Sequence, residues 1–170
     1  SSDGGLPLVR GMRQLLEEHQ GSIFGFLFGM LRDRESAKDA TQETLVKISR
    51  GLSGYKDQGT FKAWALRIAR NVGLDMLRKQ KTHGGDHLEI LDTETAPHSN
   101  VEDLVAERER CQLALELVQR LPDAERQVVL LRACEGLKFR EIAEITESPL
   151  NTVLGRMRNA TNKLKQWMQE

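Results

Sequence analysis

The chain has 170 residues, with 25 Lys+Arg against 25 Asp+Glu, 39% apolar and 29% charged side chains. This balance excludes a histone-like polycation, an acidic tail protein and a wholly disordered chain. The length allows one domain or two small ones.

The zero net charge is a sum of unlike blocks. Residues 1–43 carry 5 basic and 7 acidic side chains (−2), 44–81 carry 9 and 2 (+7), 82–118 carry 2 and 9 (−7), and 119–170 carry 9 and 7 (+2). A basic block beside an acidic one predicts a solvated basic face followed by a self-repelling, extended linker. The longest apolar stretch, Ile23 to Leu31, is nine residues and contains Gly25 and Gly29, whereas a bilayer core needs roughly 20, so no membrane insertion is expected. The opening Ser1-Ser2-Asp3-Gly4-Gly5 lacks a basic-then-apolar signal pattern. Cys111 and Cys134 have neither CxxC spacing nor a neighbouring His pair, which argues against zinc and for a reducing, cytoplasmic compartment. No cofactor or metal is expected.

Apolar residues recur at helical spacing from the start: Leu8, Met12, Leu15 and Leu16, then Ile23, Phe26, Leu27 and Met30, read as two short helices broken near Gly21. A third helix, from about Arg34 to Ser49, carries Ala37, Thr41, Leu45 and Ile48 on one face and Lys38, Asp39, Gln42 and Glu43 elsewhere, and Gly51 and Gly54 stop it. After turn-forming residues 51–60, Thr60 is placed to cap a long helix with the apolar stripe Phe61, Trp64, Ala65, Ile68, Val72 and Met76. Lys62, Arg67, Arg70, Arg78, Lys79 and Lys81 decorate its remaining surface. Trp64 is read as core, and Tyr55, in the turn, as the better stacking side chain.

Periodicity is lost over residues 82–99, where Gly84, Gly85 and Pro97 mix with Asp86, Glu89, Asp92 and Glu94; this is the best domain boundary. His83 and His87 stand four apart there without a third soft ligand, a weak metal signal. Asn100 is placed to cap a helix through Val101, Leu104, Val105, Cys111, Leu115 and Val118. Leu121-Pro122 opens another with Val128 and Leu131 on its buried face, ended by Glu135-Gly136.

The segment from Phe139 to Ile145, the turn Thr146-Glu147-Ser148 and the run from Pro149 to Ala160 have the anatomy of a DNA-binding helix-turn-helix. Ala143 is small where the helices approach, and Ile142, Ile145, Val153 and Met157 fill the angle between them. Ser148 is expected to cap the second helix, with Pro149 at its first position. Arg156, Arg158, Lys163 and Lys165 suit that helix to a groove and its phosphates. An ordinary helical hairpin with a solvated basic face is the plainer reading of the same residues.

Three stretches together resemble the extracytoplasmic-function (ECF) sigma factors, the small bacterial RNA polymerase specificity subunits. They are Ala37 to Ile48 with its Asp39 and Gln42-Glu43; Phe61 to Asn71 followed by Asp75 and Arg78; and Leu121-Pro122 with Glu125-Arg126 and the helix-turn-helix. The resemblance covers roughly residues 8–168. It implies that Asp39, Gln42 and Glu43 dock on the clamp coiled coil of core polymerase. It also implies that Tyr55, Lys56, Phe61, Lys62, Arg67 and Asn71 meet the minus-ten element, where strand opening without ATP needs flipped bases held in a pocket. Asn151, Thr152, Arg156, Arg158 and Asn159 would read the minus-thirty-five element in the major groove. Members often place a basic residue and a serine where this chain has Leu154 and Gly155, an arginine at Asn159, a capping serine at Lys138 and a glycine-containing turn at Thr146-Glu147. Base preference therefore does not transfer. The resemblance further implies an acidic linker threading polymerase channels and an anti-sigma factor as partner.

The expectation is an all-α, non-enzymatic transcription initiation factor of two small helical domains. Residues 6–81 form a region-2-like domain, 82–99 a flexible acidic linker, and 100–170 a region-4-like domain. Alternatives are a conventional helix-turn-helix regulator, which would not explain the Asp39-to-Asn71 signatures, and a sigma-like module that only sequesters a partner.

Overall fold

The computed structural model describes residues 5–55, 60–82 and 113–170. All regular elements among the described residues are helical. α1 (Gly5–Leu31), α2 (Arg34–Gly51) and α3 (Phe61–Thr82) pack into a three-helix bundle. In the second half come α4, described over residues 113–119, then α5 (Asp123–Val129), α6 (Phe139–Ile145) and α7 (Leu150–Met168). The acidic stretch, His83, His87, Lys56 and Cys111 lie outside the described residues.

α1 is one continuous helix, not the expected pair broken near Gly21. A helical glycine costs about 1 kcal/mol, but Ile23, Phe26, Leu27, Met30 and Leu31 downstream of it are all buried, at roughly 1.5–3 kcal/mol each. Burial outweighs the local cost. The helix stops at Arg32, whose backbone is left-handed (φ 58°), and Asp33 caps α2 by accepting from the Ser36 N–H at 3.2 Å.

α2 buries Ala37, Ala40, Thr41, Thr44 and Ile48. The two buried threonine hydroxyls donate back to the Ala37 and Ala40 carbonyls at 2.7 Å, so neither polar group is left unsatisfied in the core. Gly51 lets the Trp64 ring close in, since a Cβ there would lie 3.1 Å from the indole. Thr60 caps α3 as expected, accepting from the Ala63 N–H at 3.2 Å.

α5 runs into one π turn over Leu130–Cys134 and is closed by Gly136 at φ 68°, a conformation that favours glycine. Arg126 is buried and donates to the Gln119 and Leu121 carbonyls at 3.1 Å and to Asp123. Buried Glu125 accepts Lys163 of α7 on both oxygens at 2.9 Å. The Glu125-Arg126 pair thus ties α4, α5 and α7 together.

The two halves are in contact. One hydrophobic core includes Leu27, Met30 and Leu66 from the bundle with Leu130, Leu131, Ile142 and Ile145 from the second half. At Gly29 the backbone of α1 lies so close to Leu130 that a Cβ would fall 2.6 Å from its Cδ1. Arg32 donates to the Gln119 carbonyl at 2.6 Å, and Arg70 donates to Gln127 Oε1 at 2.7 Å and to the Ile145 carbonyl at 3.3 Å.

Candidate polymerase and nucleic-acid interfaces

Three surfaces carry the residues singled out from the sequence. On α2, opposite its buried stripe, Asp39, Gln42 and Glu43 are exposed, with Glu43 3.5 Å from Lys47. Val46, one turn on, lies on the same face and is 47% exposed. Sequence reading passed over it because an apolar residue in a helix is ordinarily assigned to the core, although its spacing from Asp39 and Gln42 places it with the polar face.

At the start of α3 the aromatic residues cluster. Tyr55 lies 4.8 Å from the Trp64 ring and 5.9 Å from Phe61, and Phe61 meets His19 edge-on at 4.9 Å. Trp64 is half-buried, so it is only partly the core residue expected, and its ring is packed between Gly51 and Tyr55. Tyr55, Trp64, Thr60, Ala63 and Arg67 form one wall of a cleft of about 400 Å³, and Arg140, Glu141 and Glu144 of α6 help form the other. Lys62 lies 3.1 Å from Glu135, Arg67 3.7 Å from Glu147, and Thr60 donates to Glu141 at 2.8 Å. Asn71 is exposed. Arg70, a further cation on this side, is partly desolvated, which lowers its pKa from the usual arginine value, while Glu147 opposes that shift.

α7 presents Asn151, Thr152, Arg158 and Asn159 to solvent, together with Leu150 and Leu154. A Cβ at Gly155 would meet nothing within 4 Å, so this face is open. Arg156 stands apart from the others: it is half-buried and donates to Ser148 Oγ at 2.9 Å. Ser148 does not cap α7. Its hydroxyl donates to the Thr146 carbonyl at 3.1 Å and accepts from Arg156, and Pro149 occupies the cap position with no side-chain bond. The turn leaves Ser148 facing Arg156 because Glu147 adopts a left-handed backbone, φ 51°. Ile142, Ile145 and Val153 are buried between α6 and α7, with Met157 partly buried against them, as the helix-turn-helix pattern requires.

Residues 15–83 match the family Sigma-70 region 2, and residues 111–164 match Sigma-70, region 4. The chain belongs to the ECF family of RNA polymerase sigma factors. This sigma factor is 27% identical over 159 residues to the ECF RNA polymerase sigma factor SigE of Mycolicibacterium smegmatis, spanning 91% of this chain but only 60% of that one. It is 28% identical over 153 residues to RNA polymerase sigma factor SigV of Bacillus subtilis, spanning 88% and 86% of the two chains. Its fold superposes on the sigma factor RpoE of Bartonella quintana, crystallised with the anti-sigma factor NepR, with a TM-score of 0.74 at 21% identity over 94% of this chain and 98% of that one. CnrH, solved with the cytosolic domain of CnrY, superposes with a TM-score of 0.67 at 21% identity, over 94% and 88%. The chain is therefore an alternative sigma factor, a protein of transcription initiation. No helix among the described residues is long and apolar enough to cross a membrane.

Proposed function

We propose that this sigma factor recruits core RNA polymerase to promoters through three separate surfaces, within domains at 6–81 and 100–170 joined by an acidic linker at 82–99. The exposed face of α2, Asp39, Gln42, Glu43 and Val46, docks on the polymerase clamp coiled coil. Polar groups around one exposed apolar side chain are the composition of a small helix-on-helix contact. Tyr55, Lys56, Phe61, Lys62, Arg67 and Asn71 hold the opened minus-ten strand: aromatic rings stack on bases and cations follow the phosphates. Asn151, Thr152, Arg158 and Asn159 read the minus-thirty-five duplex, with Arg156 bracing the turn that aims them.

The observation that carries this reading is the presence, in one chain and in this order, of a region-2 match and a region-4 match, each with its polar face exposed. The protein works in the cytoplasm without a cofactor and catalyses nothing itself; bond formation belongs to the polymerase. An anti-sigma factor is its expected regulator, since the sigma factor RpoE of Bartonella quintana, which has the same fold, was crystallised with one. The test mixes the chain with bacterial core polymerase and a library of promoter fragments. A defined transcription start that depends on the chain is expected; failure both to join the core and to direct a start overturns the reading. Asp39→Arg with Gln42→Arg should weaken core binding at least tenfold and leave duplex binding by α7 unchanged.

A further inference from the structure

The cations expected to hold the minus-ten strand already have anionic or polar partners inside this chain. Lys62 meets Glu135 at 3.1 Å, Arg67 meets Glu147 at 3.7 Å, and Thr60 donates to Glu141 at 2.8 Å. Arg70, one turn beyond Arg67 along α3, donates to Gln127 at 2.7 Å and to the Ile145 carbonyl at 3.3 Å. Every acceptor comes from α5, α6 or the turns flanking α6, and every donor from the start or first half of α3. The cleft beside Tyr55 and Trp64 is walled by Arg140, Glu141 and Glu144 of α6. By contrast Asn151, Leu154, Arg158 and Asn159 of α7 remain exposed.

We propose that Thr60, Lys62, Arg67 and Arg70 form a phosphate-binding row for single-stranded DNA, and that Glu135, Glu141 and Glu147 occupy it as internal stand-ins for the strand phosphates. The proposal rests on the assignment of α3 to the minus-ten strand and adds Arg70 to it. The chemistry is matched: a carboxylate and a phosphate both offer paired anionic oxygens to lysine and arginine. Glu147 carries a second mark. It holds a left-handed backbone at φ 51°, where glycine would sit without strain, and its carboxylate reaches Arg67 from that position. A residue kept in a strained conformation while making a specific charge contact points to use of the contact. The closed chain thus masks its minus-ten surface and leaves its duplex-reading helix open.

The experiment measures anisotropy of a fluorescein-labelled 12-nucleotide single strand of mixed sequence, titrated with the full chain at several salt concentrations. Glu135→Gln with Glu147→Gln is compared with Glu35→Gln plus Glu170→Gln, which changes net charge equally at sites that pair with none of Thr60, Lys62, Arg67 and Arg70. The first pair should bind about tenfold more tightly than the second. Its plot of log K against log salt should steepen by about 1.4, the release of two more counterions at about 0.7 each on a single strand. Glu147→Gly provides a variant whose turn is relieved of strain, so its folding is secure, and it should bind severalfold more tightly than the parent. Adding Arg67→Ala and Arg70→Ala should abolish the gain. Equal affinity of the two charge-matched pairs, or a gain that survives loss of Arg67 and Arg70, overturns the proposal. Transcription from core polymerase with the Glu135→Gln, Glu147→Gln chain separates the two readings: initiation with no gain in free strand binding leaves the sigma assignment standing and removes only the masking.

Discussion

Arg126 is only 2% exposed, yet it carries a full charge into the second half of the molecule. Its guanidinium gathers the Gln119 and Leu121 carbonyls and Asp123 at the junction of α4 and α5. Arg126→Ala would take this donor from the Leu121 carbonyl, at about 1–3 kcal/mol, while Arg32 still serves the Gln119 carbonyl, so urea denaturation should show a loss of about 1–3 kcal/mol. Arg126→Met should recover the packing part only. The Glu125-Arg126 pair was legible as a family signature, but its role was not, since its partners are backbone carbonyls and a lysine 38 positions away. Leu154 is the opposite case. It is 36% exposed on the face of α7 proposed to read the duplex. An apolar side chain there can pack on a thymine methyl but cannot bond a guanine edge. Selection of minus-thirty-five sequences with Leu154→Arg should shift the preference at one base pair from A·T to G·C, by about 1–3 kcal/mol, and leave the others alone. Cys134 lies exposed beside Glu135. Desolvation first, and the Glu135 charge second, push its thiol pKa up. A raised pKa means less thiolate at any pH below it, so alkylation by iodoacetamide at pH 8 should run slower than for a free cysteine.

At the scale of the element, a helix whose two faces differ in chemistry was easy to read, and a helix whose course depends on remote neighbours was not. α2 was placed to within two residues because its buried small and β-branched positions alternate cleanly with charge. α1 was misread because Gly21 is a local break signal, while the burial that overrides it comes from contact with α2, α3 and Leu130. In the helix-turn-helix, the turn length and the buried residues were legible, but the cap was not. A left-handed Glu147 turns Ser148 toward Arg156, a geometry set by backbone that composition does not encode. Ser148→Ala and Arg156→Met remove the same hydrogen bond. Each should weaken duplex binding severalfold and evenly across sequences, and the double variant should be no worse than the worse single one. Val46→Asp puts a charge in the middle of the α2 face proposed to dock on polymerase, and core polymerase binding should fall at least tenfold, while far-UV helicity and single-strand binding stay unchanged.

At the scale of the molecule, the basic block of the sequence meets carboxylates of the second half across the joint: basic α3 faces Glu135 and Glu147, which flank α6. This pairing was hidden from sequence reading because the partners stand some 70 or 80 positions apart. The joint has a geometric consequence. A compact chain of this length has a radius of gyration of about 15 Å, hence a diameter near 40 Å, whereas promoter elements centred about 25 base pairs apart lie about 85 Å apart at 3.4 Å per step. The closed molecule cannot touch both elements at once, so promoter engagement requires the halves to part. The apolar centre of the joint is Leu130 against Gly29, distinct from the ion pairs at its rim. Leu130→Ala removes that contact, and truncations of a buried leucine cost about 2–5 kcal/mol. The parent, with a core shared between halves, should melt in a single calorimetric transition and scatter X-rays as a compact particle. Leu130→Ala should split the transition in two and raise the radius of gyration. A single unshifted transition with unchanged scattering would mean that the halves are held without Leu130, by the rim pairs and the rest of the shared core.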